Sequence, residues 1–151
     1  MTSKYNATSK FKDIIDKATD FHGHLGPFLV IGVRMGLIGV RELGAKKNNE
    51  ELRVTAMAED YTPFSCVIDG LQVATKCTIG NKKLRLRPSS EIAAKFELQN
   101  REQVTVRINP NAFNKLKNKL LAENVPTEEV RQLAHLFASM PEEELFIIRR
   151  R

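Results

Sequence analysis

Pro27-Phe28-Leu29-Val30-Ile31-Gly32-Val33-Arg34-Met35-Gly36-Leu37-Ile38-Gly39-Val40-Arg41-Glu42-Leu43 decides the fold. The run is apolar on nearly every side, and a helix apolar all round belongs in the centre of a structure. Pro27 suits a first helical turn, where its missing N–H costs nothing, and Gly44 is a natural stop. Gly32, Gly36 and Gly39 each lower helix propensity by roughly 1 kcal/mol relative to alanine. Their expected use is the close approach of another backbone. The apolar run from Leu25 to Val40 is shorter than the roughly 20 residues that span hydrocarbon, and it carries Arg34 in its middle, so it reads as a buried helix and not a membrane span.

Working outward, Phe11, Ile14, Ile15 and Ala18 fall at spacings of three and four, which predicts an amphipathic helix over Ser9 to Phe21 that ends just before His22. On the other side, Leu52, Val54, Ala56 and Ala58 alternate as a half-buried strand, followed by Glu59, Asp60 and a turn at Pro63. Ser65 is a candidate N-cap for a helix through Val67, Ile68, Leu71, Val73 and Ala74, closing near Gly80. Three strand-like runs come next, Lys83 to Arg87, Ala93 to Leu98 and Gln103 to Ile108, and their short connections predict an antiparallel meander. Phe113, Leu116, Leu120 and Leu121 form one helical stripe, and Val130, Leu133, Ala134 and Phe137 another. Leu145 to Ile148 is expected to be a short strand. The whole reads as one α+β domain over residues 1–151, with a mixed, largely antiparallel sheet packed against the central glycine-containing helix and with C-terminal helices.

With 151 residues, 42% hydrophobic and 28% charged, the chain can bury a real core. Two cysteines are too few for a disulfide framework, and Met1 to Lys10 is too polar for a secretory signal, so the expected compartment is the reducing cytoplasm. A net charge of +6 raises the question of nucleic acid. The Lys and Arg residues are scattered along the chain and not interleaved with aromatics, so a solvated surface is expected and a nucleic-acid partner is not.

The most informative chemistry lies in Phe21-His22-Gly23-His24-Leu25-Gly26-Pro27, at the junction of two predicted helices. On a helix the two rings would point about 200° apart; in a loop both can turn to one side, with Gly23 supplying the backbone freedom. The pair then serves either as metal ligands or as helix-end caps. Cys66 falls at a predicted helix start, where unpaired N–H groups favour a thiolate that acts as ligand or nucleophile. Cys77 would stand about 16 Å from it on an unbroken helix, too far to share an ion, and reads as a buried structural thiol. Glu59 or Asp60 is a candidate to orient a histidine or carry a proton, or is a plain loop carboxylate. Asp69 suits the first turns of the Cys66 helix through the dipole. His135 reads as a surface histidine.

These residues carry a resemblance. Phe21 to Pro27, with Gly32-Val33-Arg34-Met35-Gly36, resembles the His-Gly-His-x-Cys-Pro-Gly signature and its continuation in the family of the formylmethanofuran dehydrogenase E-subunit. Cys66-Val67-Ile68-Asp69-Gly70-Leu71-Gln72 and Lys76-Cys77-Thr78-Ile79-Gly80 are similar to that family's second motif, in the same order. Two departures stand out: Gly26 replaces the family cysteine, and no cysteine follows Cys77, so the likeness is to the core domain without a C-terminal zinc module. The resemblance implies a homodimeric α+β core with a cleft where His22, His24 and Cys66 gather round zinc or another transition metal, and with Cys66 and His24 as the catalytic candidates. It implies either a metal-dependent, redox or one-carbon enzyme acting on a small molecule, or a noncatalytic metal-carrying accessory subunit of an oxidoreductase partner.

Overall fold

The structure, a computed structural model, describes residues 2–45, 51–120 and 125–151. The elements run α1 Thr2–His22, α2 Pro27–Leu43, β1 Arg53–Ala58, α3 Cys66–Thr75, β2 Leu84–Pro88, β3 Ala93–Glu97, β4 Gln103–Ile108, α4 Pro110–Leu120, α5 Thr127–Ser139, α6 Glu142–Leu145 and β5 Phe146–Arg150. The sheet order is β2-β1-β3-β4-β5. The α+β architecture expected from the sequence is therefore present, with one parallel pairing and three antiparallel ones.

The predicted meander is corrected by this order. β2 does not pair with β3; it returns to the far side of β1 and runs parallel to it, with Val54 opposite Leu84. Parallel neighbours need a long crossover, and α3 with the 76–83 loop supplies it. β3 and β4 do form the expected antiparallel hairpin, and the tail joins the sheet as β5 beside β4. The first helix is longer than predicted, beginning at Thr2 and taking in His22. The Cys66 helix is shorter, ending at Thr75 because Lys76 turns left-handed at φ 62°. Leu121 of the predicted stripe lies outside the described residues.

α2 is the central helix that its composition requires: Phe28, Leu29, Val30, Ile31, Val33 and Met35 are all nearly inaccessible. Its glycines are spent inside the protomer. A Cβ on Gly32 would lie 2.2 Å from the Val67 carbonyl oxygen, and one on Gly70 of α3 would lie 2.3 Å from the Leu29 oxygen, so the two helices cross nearly backbone to backbone. Gly39 receives the face of Phe96 from β3. The glycine-lined face is thus covered by the chain itself and is not open to a second copy. Arg34, the charge inside the apolar run, donates to the carbonyl oxygens of Phe137, at 2.8 Å, and Met140. It thereby holds the end of α5 against α2. No described helix is long and apolar enough to cross a membrane.

Candidate functional site

The site lies where the end of α1, the turn into α2 and the start of α3 meet. α1 stops at His22 because Gly23 adopts φ +106°, a conformation that side chains disfavour, while the Gly23 N–H closes the last turn on Thr19 O at 2.7 Å. Gly26 is extended and Pro27 opens α2. The two imidazoles consequently stack at the turn, their centroids 4.7 Å apart and their planes 40° from parallel. His22 is largely buried, its side chain 12% exposed, whereas His24 is exposed.

His22 Nδ1 lies 2.6 Å from Asp69 Oδ2. A carboxylate only accepts, so the proton is assigned to Nδ1 and the lone pair to Nε2. Nε2 is buried and has no hydrogen-bond partner. An imidazole held by a carboxylate on one nitrogen, with the other free, is the arrangement that orients a histidine towards a metal ion. The Asp69 carboxylate is itself fixed: Gln72 Nε2 donates to its other oxygen at 3.2 Å. Gln72 Oε1 in turn accepts from Ile79 N at 2.9 Å, in a loop where Thr78 and Asn81 bond reciprocally at 2.9 Å. The second sequence motif thus acts on the first through the chain 78–81, Gln72, Asp69, His22.

Asp69, and neither Glu59 nor Asp60, orients the histidine. The signal was the spacing: Asp69 is three residues after Cys66, one helical turn along and on the same face. Cys66 departs from expectation in its electrostatics. Ser65 makes no side-chain cap, its backbone is already helical, and a turn precedes α3 in which Cys66 N–H donates to Pro63 O at 3.1 Å. With no free N–H at the thiol, burial pushes the Cys66 pKa up, and the Asp69 charge adds to the rise. The resting side chain is a thiol, not the thiolate expected from a helix start. Cys77 is buried, 1% exposed, its sulfur 3.4 Å from Leu52 O, as a structural thiol should be. His135 is exposed.

His22, His24 and Cys66 line one cavity of about 190 Å³, walled by Pro27, Phe28 and Leu29 of α2, Pro63, Val130 of α5, Leu120 and Val125. Gly26 is in the lining as well. Among the described residues no three His, Cys, Asp or Glu side chains stand close enough together to hold one ion. The donor types and the support behind His22 fit a transition metal; the three side chains as they stand do not yet converge on one point.

Known proteins agree with this geography. The family model described as "FmdE, Molybdenum formylmethanofuran dehydrogenase operon" matches residues 21–147. A probable S-adenosyl-L-methionine-binding protein of Archaeoglobus fulgidus is 40% identical over 83 residues, 52% of this chain and 22% of the relative, so the chain spans about a fifth of that protein's length. The crystal structure of an FmdE-like protein of the tungsten formylmethanofuran dehydrogenase type from Syntrophus aciditrophicus matches with a TM-score of 0.61 at 23% identity, over 93% of this chain and 71% of that one, a likeness of fold. With the family match running from Phe21, beside the paired histidines, to Ile147 in β5, the chain belongs to the FmdE family.

Proposed function

We propose that this FmdE-family protein is a one-domain, cytoplasmic metal-binding protein whose His22, His24 and Cys66 take up one zinc ion and leave a coordination position open to a small molecule. The observation that carries the reading is His22 Nε2, buried and without a partner while Asp69 holds Nδ1. A buried nitrogen lone pair left unsatisfied costs roughly 1–3 kcal/mol, a cost that a bound cation removes. The reading requires the ligand set to assemble on binding, with movement of the exposed His24 ring and loss of the Cys66 proton. Metal binding supplies the drive for that deprotonation.

When bound, zinc of this type polarises a carbonyl or generates hydroxide from water. The protein's own parts have separate tasks. Asp69 keeps His22 in one tautomer, the α2 and α5 side chains exclude bulk water, and the exposed His24 closes the rim of the cleft as the movable ligand. Cys66, its proton released, is the thiolate ligand of the set. The alternative is an accessory subunit of an oxidoreductase, in which a fourth protein group closes the site; an exchangeable water at that position favours the enzyme. The name of the Archaeoglobus relative does not transfer to this cleft, because about 190 Å³ is small beside the roughly 300–1,000 Å³ of pockets that hold drug-sized ligands. A homodimer remains part of the proposal, formed through surfaces other than the buried glycine face.

Zinc titration of untagged protein against a chromophoric chelator tests the site. One zinc per chain is expected, with His22→Ala and Cys66→Ser each lowering affinity at least about tenfold while the circular dichroism stays unchanged. Absence of stoichiometric zinc, or wild-type affinity in both variants, would sink the proposal.

A further inference from the structure

Strand pairing gathers on one surface the basic residues that are scattered in the sequence. The helices pack on the sheet face that carries Val54, Ala56, Phe96, Val104 and Val106, all in the core. The opposite face is set by the register. One row across it reads Arg85, Thr55, Lys95, Thr105 and Arg149; the next reads Arg87, Met57, Ala93, Arg107 and Ile147; a third brings Arg53 beside Glu97 and Gln103. Met57 and Ala93 are buried yet lie outside the hydrophobic core. Their cover comes in part from the arginines: Arg87 reaches over to the Met57 sulfur and Arg85 to the Thr55 hydroxyl.

Six cations share these rows with a single carboxylate, Glu97, while Glu91 and Glu51 stand at the margins, so the face is net positive. Lys95 pairs with Glu97 at 2.9 Å, and Arg107 with Glu91 at the rim at 3.5 Å. Arg87 and Arg149 have the uncharged Met57 and Thr105 as strand neighbours. At about 4.8 Å between strands and about 6.8 Å between alternate residues, the rows cover roughly 19 by 14 Å. Beside β1 and β2 the face opens into a groove of about 670 Å³, bordered by Arg53, Lys82, Lys83, Arg85, Glu51 and Glu97.

We infer that this face binds the phosphate backbone of a nucleic acid. A second copy of the chain is disfavoured, because it would bring one cationic face against another. A conventional protein partner is disfavoured too: such interfaces have an apolar core depleted in charge, and this face offers only Ile147, 38% exposed, among large exposed hydrophobics. Closely spaced phosphates match the pattern, and five of the six cations are arginines, whose planar forks pair with phosphate oxygens two at a time. The face carries no aromatic side chain on which bases stack, so recognition is of the backbone and indifferent to sequence.

The test is fluorescence anisotropy with a labelled single-stranded RNA of about 20 nucleotides. With about four phosphates contacted, affinity is expected to fall roughly 50-fold between about 50 and 200 mM salt, and two unrelated sequences should bind alike. Arg87→Glu with Arg149→Glu should weaken binding by at least about tenfold at the lower salt, whereas Lys115→Glu with Arg131→Glu, an equal charge change on α4 and α5, should cost less than about threefold. If the reversed pair fails to fold by circular dichroism, Arg87→Gln with Arg149→Gln takes its place, with a smaller loss in the same direction. Three results each overturn the inference: no binding at low salt, equal weakening by both pairs, or poly-glutamate competing as well as RNA, which points to an acidic protein instead.

Discussion

Replacing Gly32 by alanine tests whether the α2–α3 crossing is what builds both the core and the cleft. The added Cβ would meet the Val67 carbonyl oxygen at 2.2 Å and the Val67 carbonyl carbon and Cα at 2.9 Å. Relieving that overlap requires α3 to retreat by about 1 Å, and the obstacle is backbone, which has no rotamer to escape into. Overpacking of this kind costs about 3 kcal/mol at the upper end of its range, and the better helix propensity of alanine returns about 1 kcal/mol. The net loss of about 2 kcal/mol corresponds to a Tm lower by about 4–8 °C for a chain of this size. Gly80→Ala is the control, since its Cβ would find nothing nearer than Thr78 Oγ1 at 3.8 Å. Thermal denaturation followed by circular dichroism should leave that control within about 2 °C of wild type. Because Val67 follows Cys66 directly, the same retreat draws the thiol away from the histidines, and zinc affinity should fall with stability. A Gly32→Ala protein as stable as wild type would refute the idea that close backbone contact at this crossing shapes the site.

Gly26→Cys should strengthen the proposed metal site: a Cβ there meets Val130 Cγ1 at 3.8 Å and the His24 ring at 3.9 Å, ordinary contacts, so a thiol fits beside His24 without strain. Zinc affinity measured by chelator competition should rise by about tenfold or more, while Gly26→Ser changes it little. The thiols also set an alkaline limit. Burial raises the pKa of both Cys66 and Cys77 above the usual 9.0, so the folded state keeps protons that the unfolded chain releases. Their contribution to stability is complete below about pH 9 and is lost as pH rises through the raised values. Urea midpoints should therefore fall as pH rises above about 9, and fall less in Cys66→Ala; an equal fall in both would remove Cys66 from the explanation.

Local features were the ones legible in the sequence. Periodicity and composition identify α2 as the buried centre, place β4 at Gln103 to Ile108, and mark the His22 to Pro27 turn and the Cys66 segment as the chemical ones. These depend on side-chain pattern and backbone freedom within a few residues, which the sequence carries directly. Pairing partners emerged only from tertiary packing. That β2 lies parallel to β1, and not against β3, depends on which edge of the sheet remained open after α3 crossed back over it. Asp69 became the partner of His22, 47 residues away, because the glycine contacts of α2 and α3 set how close the two helices stand. The same crossing left Cys66 a half-buried thiol, its pKa raised by partial burial and by the Asp69 charge, while the turn from Pro63 takes up the N–H that an isolated helix start would have left free. The basic face is the clearest case: charges spread from Arg53 to Arg149 become neighbours only when strand register aligns them, and register is fixed by the burial of the opposite face.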